Sequence, residues 1–213
     1  MKIGIIGSGN IGGNLGKHWA KAGHSVMFSS RHPEELKNLV EESGKNAEAL
    51  SVKDTFEANA DVYLLAVPFK AIDKISELYA GEYANKVIID ATNPYPGRDG
   101  EMALKVRSAN HNASEYTAMK FATAKTAKAF NTIHAEHLQD RAFRNVDKLA
   151  IPYAAQDKES KAVVEQLIKD IGFDSLYIGN LSDSRIMDPD QVIYGKSLLR
   201  KELKELVDTT KTY

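Results

Sequence analysis

Lys2-Ile3-Gly4-Ile5-Ile6-Gly7-Ser8-Gly9-Asn10-Ile11-Gly12 is the stretch that decides how this chain is read. Its first five residues form a short apolar run of strand type. Gly12–Ala22 then reads as a helix, with Ile11, Leu15, Trp19 and Ala22 on one face. Between them, Gly7-Ser8-Gly9-Asn10-Ile11-Gly12 matches G-x-G-x-x-G. A strand before the glycines and a helix opening on them is the context that a dinucleotide-binding turn requires. Gly7 allows the tight turn, Gly9 lets backbone approach a pyrophosphate, and Gly12 lets helix and strand pack closely. The free N–H groups of the helix's first turn face the phosphates. Gly7, Ser8, Gly9, Asn10, Ile11 and Gly12 are therefore the first cofactor-binding candidates.

The next strand, Ser25–Ser29, selects the cofactor. An NAD site places an acid at its end to hold the ribose 2′-hydroxyl. Here the chain reads Phe28-Ser29-Ser30-Arg31-His32, with no acid before Glu34. A hydroxyl followed by a guanidinium suits a 2′-phosphate, so Ser30 and Arg31 point to NADP(H).

Onward, short apolar runs alternate with amphipathic helices. Strands are expected at Ala49–Val52, Val62–Val67, Val87–Asp90, Thr126–Phe130, Leu149–Ala154 and Ser175–Ile178. Helices are expected from Pro33 to Gly44, from a cap at Asp54 to Asn59, and over Ala71–Tyr79, Ser114–Thr123 and Asp157–Ile171. A last helix is expected from Asp188-Pro189 onward, with Val192, Leu199, Leu203 and Leu206 on one stripe. Asn93-Pro94-Tyr95-Pro96-Gly97 reads as a turn-rich loop. The fold class is α/β: an NAD(P)-binding Rossmann fold with a mostly parallel, doubly wound sheet and a small C-terminal α/β extension. Residues 1–125 are expected to bind the dinucleotide. Residues 126–213 are expected to complete the sheet and the acceptor site within one compact unit.

Composition narrows the function. Among 213 residues, Lys plus Arg is 28 and Asp plus Glu is 29, a net charge of −1 without the basic excess of a nucleic-acid binder. With no cysteine, thiol catalysis and thiolate-ligated metal are excluded. The longest apolar stretch falls far below the ~20 residues that span a bilayer, and a cytoplasmic location is expected. His134-Ala135-Glu136-His137 lacks the H-E-x-x-H spacing and a third ligand, so no metal is expected. Lys120, Lys125 and Lys128 read as a solvated helix face, and Trp19 as core.

The order of GSGNIG (7–12), SSRHPEE (29–35), LLAVPF (64–69), DATNP (90–94), KAFNTIHAE (128–136) and GNLSDSR (179–185) resembles the coenzyme F-420-dependent NADP oxidoreductase family. It is similar also to the NADPH module of the six-transmembrane ferric reductases. The resemblance implies that Ala66, Val67 and Pro68 lie along the cofactor. It places Thr92, Asn93 and Pro94 by its nicotinamide half. Asn131, Thr132 and Ile133 would shape the pocket where nicotinamide and acceptor rings meet, with Leu181, Ser182 and Arg185 on the acceptor side. It implies hydride transfer between NADP(H) and a flavin-like acceptor, deazaflavin F-420 or another flavin or small molecule, in a homodimer. Such a reaction works by positioning, so no acid–base pair is expected; His134 is the one histidine considered as a donor to the acceptor ring. An NADPH-binding sensor without turnover, and a small imine or carbonyl reductase, are the competing readings.

Overall fold

The computed structural model describes residues 1–109 and 112–211; the last two residues of the 126–213 segment lie outside them. Along the chain come β1 (Lys2–Ile6), α1 (Asn10–Lys21), β2 (Ser25–Ser30), and a 3₁₀ turn (Pro33–Leu36) running into α2 (Lys37–Ser43). Then follow β3 (Ala47–Ser51), α3 (Val52–Glu57), β4 (Val62–Leu65), and a second 3₁₀ turn (Phe69–Ala71) leading into α4 (Ile72–Leu78). The middle holds β5 (Val87–Asp90), α5 (Pro96–Asp99), α6 (Glu101–Ser108), α7 (Ala113–Lys120), β6 (Lys125–Ala129) and α8 (Ala135–Asp140). β7 (Ala150–Ala155), α9 (Lys158–Asp170), β8 (Asp174–Gly179), a third 3₁₀ turn (Leu181–Met187) and α10 (Arg200–Lys211) complete it.

The strands form one sheet in the order β3-β2-β1-β4-β5-β6-β7-β8. Every neighbouring pair is parallel except β6 with β7, which is antiparallel. The chain runs outward from β1 to β3 and crosses back to β4, so the strand order reverses between β1 and β4. That is the switch point where open α/β sheets bind ligands. Both faces are covered. Ile3, Ile5, Leu15, Trp19, Phe28, Leu64, Ile89 and Leu167 belong to one core layer. Ile6, Met27, Phe56, Tyr63, Leu65, Ile88 and Phe121 belong to the opposite one. Trp19 is core, as expected, and its Nε1 donates to the Leu167 carbonyl at 3.0 Å, tying α1 to α9.

Several local expectations are corrected. Ala22 is exposed and caps α1, while Ala20 is the buried residue of that turn. Ser51, not Asp54, caps α3, its side chain accepting the Asp54 N–H at 3.1 Å. The stretch after Tyr95 is helical in α5 and α6, because Pro96 sits at a first helical position and needs no partner for a missing N–H. No helix starts at Pro189: residues 188–195 run as bends and turns, 196–199 are non-helical, and α10 begins at Arg200. Val192 is exposed, and Leu199 bridges to Leu149. The apolar face of α10, Leu203 and Val207, packs with Ala150, Leu176 and Ile178 of its own sheet. It therefore gives no argument for a second subunit.

Candidate functional site

Register brings the motifs together. Ser29 of β2 pairs with Ile6 of β1, Ile6 with Leu65 of β4, Leu65 with Asp90 of β5, and Asp90 with Lys128 of β6. These five residues form one row near the carboxyl edge of the sheet. The segments read as cofactor-binding, 7–12, 30–31, 66–68 and 92–94, and the ring-site candidates 131–133 lie at or just beyond this edge.

At the first turn, Gly7 has φ +100°, and a Cβ there would stand 2.6 Å from the Ala66 carbonyl oxygen. At Gly12 a Cβ would stand 2.1 Å from the Gly7 carbonyl oxygen, so α1 and β1 approach as closely as backbone permits. Above Gly9 nothing lies within 4 Å. Gly9 is the N-cap of α1 and offers no side chain to the helix's first N–H groups, which leaves them for an anion. A cavity of about 410 Å³ opens here, lined by Ser8, Gly9 and Asn10, by Leu36 and Leu39 on one side, and by Ala135 and Gln139 on another. Ser8 Oγ donates to the Ser29 carbonyl at 3.0 Å, fixing this loop to the end of β2. Ser30 Oγ accepts the His32 N–H at 3.0 Å. Arg31 is exposed and makes no hydrogen bond or ion pair with a described residue. The cradle above Gly9, the uncapped helix start and the unengaged guanidinium together fit the phosphates of a dinucleotide.

The other half of the edge is built on a buried ion pair that sequence reasoning missed. Lys128 is not on a solvated helix face. It lies on β6 at 0% exposure, 3.1 Å from the equally buried Asp90. Lys120 and Lys125 do reach the surface, and pair with Asp73 and Glu159. Lys128 escaped notice because a lysine in a mixed polar run carries no burial signal until its partner is known. Asp90 accepts from Thr92 N (2.8 Å), Thr92 Oγ1 (2.6 Å) and Thr117 Oγ1 (2.9 Å), and Lys128 Nζ also donates to the Thr92 carbonyl at 2.6 Å. The pair thus fixes the turn that carries Thr92 and Asn93.

Asn93 and Asn131 clamp the ends of β5 and β6 to each other. Asn93 Nδ2 donates to the Asn131 carbonyl at 2.9 Å, and Asn131 Nδ2 to Asn93 Oδ1 at 3.0 Å and to the Met187 carbonyl at 2.8 Å. Phe130, just before, has φ +64°, a left-handed conformation that costs a bulky residue about 1–3 kcal/mol. Full burial and an edge-to-face contact with Trp19 at 5.7 Å hold it there. Asn131, Thr132, Ile133, Thr92 and Pro94 are buried. Asn131 Oδ1 and Thr132 Oγ1 have no partner among the described residues.

Residues 188–199 run along this end. The Tyr194 hydroxyl meets that of Tyr95, Gly195 sits beside His134, and Ser197 Oγ is 2.6 Å from His137 Nδ1. Burial, then Tyr95, pushes the Tyr194 hydroxyl well above its ordinary range. Tyr95 is held in turn by Asp99, which accepts its N–H at 3.0 Å, and by the Arg98 guanidinium over its ring at 4.9 Å. Burial raises the Asp99 carboxyl, but hydrogen bonds from Arg98 and from the Tyr95 and Lys70 amides outweigh it and hold it below the usual range. His134 is exposed at the start of α8. Leu181 and Ser182 accept from Asn112 Nδ2 through their carbonyls and so brace the start of α7, while Arg185 donates to the Ala109 carbonyl at the end of α6.

The fold is a Rossmann-type α/β architecture with a glycine-rich turn at its switch point, the architecture that NAD(P)-binding oxidoreductases share. Residues 2–94 match the family described as NADP oxidoreductase, coenzyme F420-dependent, which bears out the resemblance read from the sequence motifs. The F420-dependent NADP reductase of Methanothermobacter thermautotrophicus is 28% identical over 200 residues, covering 88% of this chain and 85% of that protein. The rat metalloreductase STEAP3 is 27% identical over 184 residues, 86% of this chain, but the match spans only 35% of the rat protein. Among solved structures, a hypothetical protein of Sinorhizobium meliloti superposes with a TM-score of 0.81 at 25% identity, covering 94% of this chain and 96% of that one. No helix among the described residues is long and apolar enough to cross a membrane.

Proposed function

We propose that this protein is an NADPH-dependent oxidoreductase that passes hydride between NADP(H) and a flavin-like acceptor, either deazaflavin F-420 or another flavin or small molecule. The observation that carries the reading is the row Ser29–Ile6–Leu65–Asp90–Lys128, which delivers a phosphate cradle and a closed polar-apolar turn pair to one edge. When bound, the dinucleotide supplies the hydride at its nicotinamide end. The chain's own residues do the rest. Ser8, Gly9, Asn10 and Ile11 hold the pyrophosphate, Ser30 and Arg31 the 2′-phosphate, and Ala66, Val67 and Pro68 run alongside. Thr92, Asn93 and Pro94 orient the nicotinamide half, and Asn131, Thr132 and Ile133 wall the place where the rings meet and exclude water from it.

Residues 1–125 act as the dinucleotide-binding part and 126–213 as the acceptor part of one unit. In this reading the protein works in the cytoplasm as a homodimer with a small-molecule partner, and needs neither nucleic acid nor membrane. The dimer rests on the family resemblance alone. The test is NADPH oxidation by purified protein against a panel of flavins, deazaflavin and quinones. Turnover with a member of the panel is expected. Tight NADPH binding with no oxidation by any of them would refute hydride transfer and leave a sensor.

A further inference from the structure

A third buried ionisable group stands beside the Asp90–Lys128 pair and has no part in the mechanism above. Asp188 is 9% exposed and follows Met187, whose carbonyl accepts the hydrogen bond from Asn131. Its Oδ2 accepts the Ala113 N–H at the start of α7, at 3.3 Å. Its Oδ1 is buried with no partner among the described residues. The charged groups that face it are Lys128 from β6, Asp90 from β5 and Arg185 from its own turn, while α7 contributes the Ala113 amide. Lys128 is already matched to Asp90, so a second buried carboxylate here is the charge easiest to neutralise.

We propose that Asp188 is a positioning residue that carries a proton in step with the charge of the nicotinamide, holding it beside a neutral, reduced ring and releasing it beside a cationic, oxidised one. The proposal rests on the dinucleotide reading above. Asp188 lies one residue from the hydrogen bond that fixes Asn131, and its neighbour Lys128 holds the Thr92 carbonyl. It therefore adjoins the bond that fixes one of the turns assigned to the nicotinamide end and the lysine that fixes the other. Burial raises its carboxyl and Asp90 pushes the same way, against the pull of Lys128 and Arg185, so the proton is retained above the usual carboxylate range. A positive charge arriving at the same edge favours the carboxylate and expels the proton. By linkage, the carboxylate favours the cationic ring equally. The step balances. Both electrons of the breaking C–H bond go to the acceptor with the hydride. The Asp188 O–H bond leaves its pair on the carboxylate and its proton on water, from which the reduced acceptor takes the one proton it needs.

The test is calorimetric titration of NADP⁺ and of NADPH, each in two buffers of different ionisation enthalpy and over a range of pH, for the wild type and Asp188→Asn. The 2′-phosphate titrates alike in both nucleotides, so the difference between them is what reports on Asp188. Wild type should release more proton on binding NADP⁺ than NADPH, and its NADP⁺ affinity relative to NADPH should rise roughly tenfold with pH, inside the common range for coupled sites. In Asp188→Asn both differences should vanish. Equal proton release by the two nucleotides in the wild type overturns the proposal, whether or not the variant folds; so does an unchanged difference in Asp188→Asn. If neither nucleotide binds the wild type, the dinucleotide reading itself falls, and the proposal with it.

Discussion

Replacing Lys128 with Met removes one partner of a fully buried ion pair while nearly keeping its volume. Asp90 would keep three donors, Thr92 N, Thr92 Oγ1 and Thr117 Oγ1, but lose the charged one, Lys128 Nζ. Breaking a buried pair costs about 3–5 kcal/mol, because the remaining charge is uncompensated. The three surviving hydrogen bonds argue for the lower part of that range. Loss of the bond to the Thr92 carbonyl adds about 1 kcal/mol. The expected total is about 4 kcal/mol, a large share of the ~5–15 kcal/mol stability of an ordinary domain. For a chain of this size it lowers Tm by roughly 8–16 °C. Urea denaturation at neutral pH measures it directly. Asp90→Asn combined with Lys128→Met should lose less than Lys128→Met alone. A loss below about 1 kcal/mol for Lys128→Met would refute the claim that this pair holds the nicotinamide-end turns.

Three further outcomes are expected. Gly9→Val should abolish dinucleotide binding with melting temperature nearly unchanged, since nothing lies within 4 Å of its Cβ position, whereas Gly12→Ala should lower the melting temperature through its 2.1 Å clash with the Gly7 carbonyl. Thr132→Leu should slow turnover more than it weakens NADPH binding in stopped-flow measurements, because a misplacement of ~1 Å can cost about 100-fold in rate. Asp188→Asn should stabilise the free protein increasingly as pH rises. A carboxyl whose folded pKa is raised binds its proton more tightly when folded, so the wild type loses stability as pH climbs from the ordinary carboxylate value, about 3.9, toward the raised one, and Asn is spared that loss. Thermal melts of both proteins from acid to neutral pH read the difference.

The half of the site proposed to bind phosphate was legible because its chemistry is local. Gly7, Gly9 and Gly12 are spaced by the turn itself, and Arg31 stands where the end of β2 must put it. The strands were legible for a related reason, since continuous apolar runs such as Val62–Leu65 mark central parallel strands. The other half was not, because it depends on residues far apart in sequence. Nothing in the run around Lys128 marks it as buried until β5 places Asp90 alongside, and nothing around Asp188 marks it until α7 and β6 close over it. The expectation of a helix from Pro189 failed in the same way. Val192 and Leu199 fit a helical stripe, but the chain there is held by partners from three other segments, Tyr95, His137 and Ala150, and these long-range bonds override local periodicity.

The central claim is that the edge of this sheet binds NADP(H) through Arg31. It is tested most directly by titrating NADPH and NADH against the wild type and Arg31→Ala at two salt concentrations. A hydrogen bond to a charged group is worth roughly 1.5–3 kcal/mol, and the exposure of Arg31 favours the lower half. The account predicts that NADPH binds at least about tenfold tighter than NADH. The gap should narrow at high salt, and Arg31→Ala should remove most of it by weakening NADPH alone. Equal affinity for the two nucleotides in the wild type, or equal weakening of both in Arg31→Ala, would contradict it.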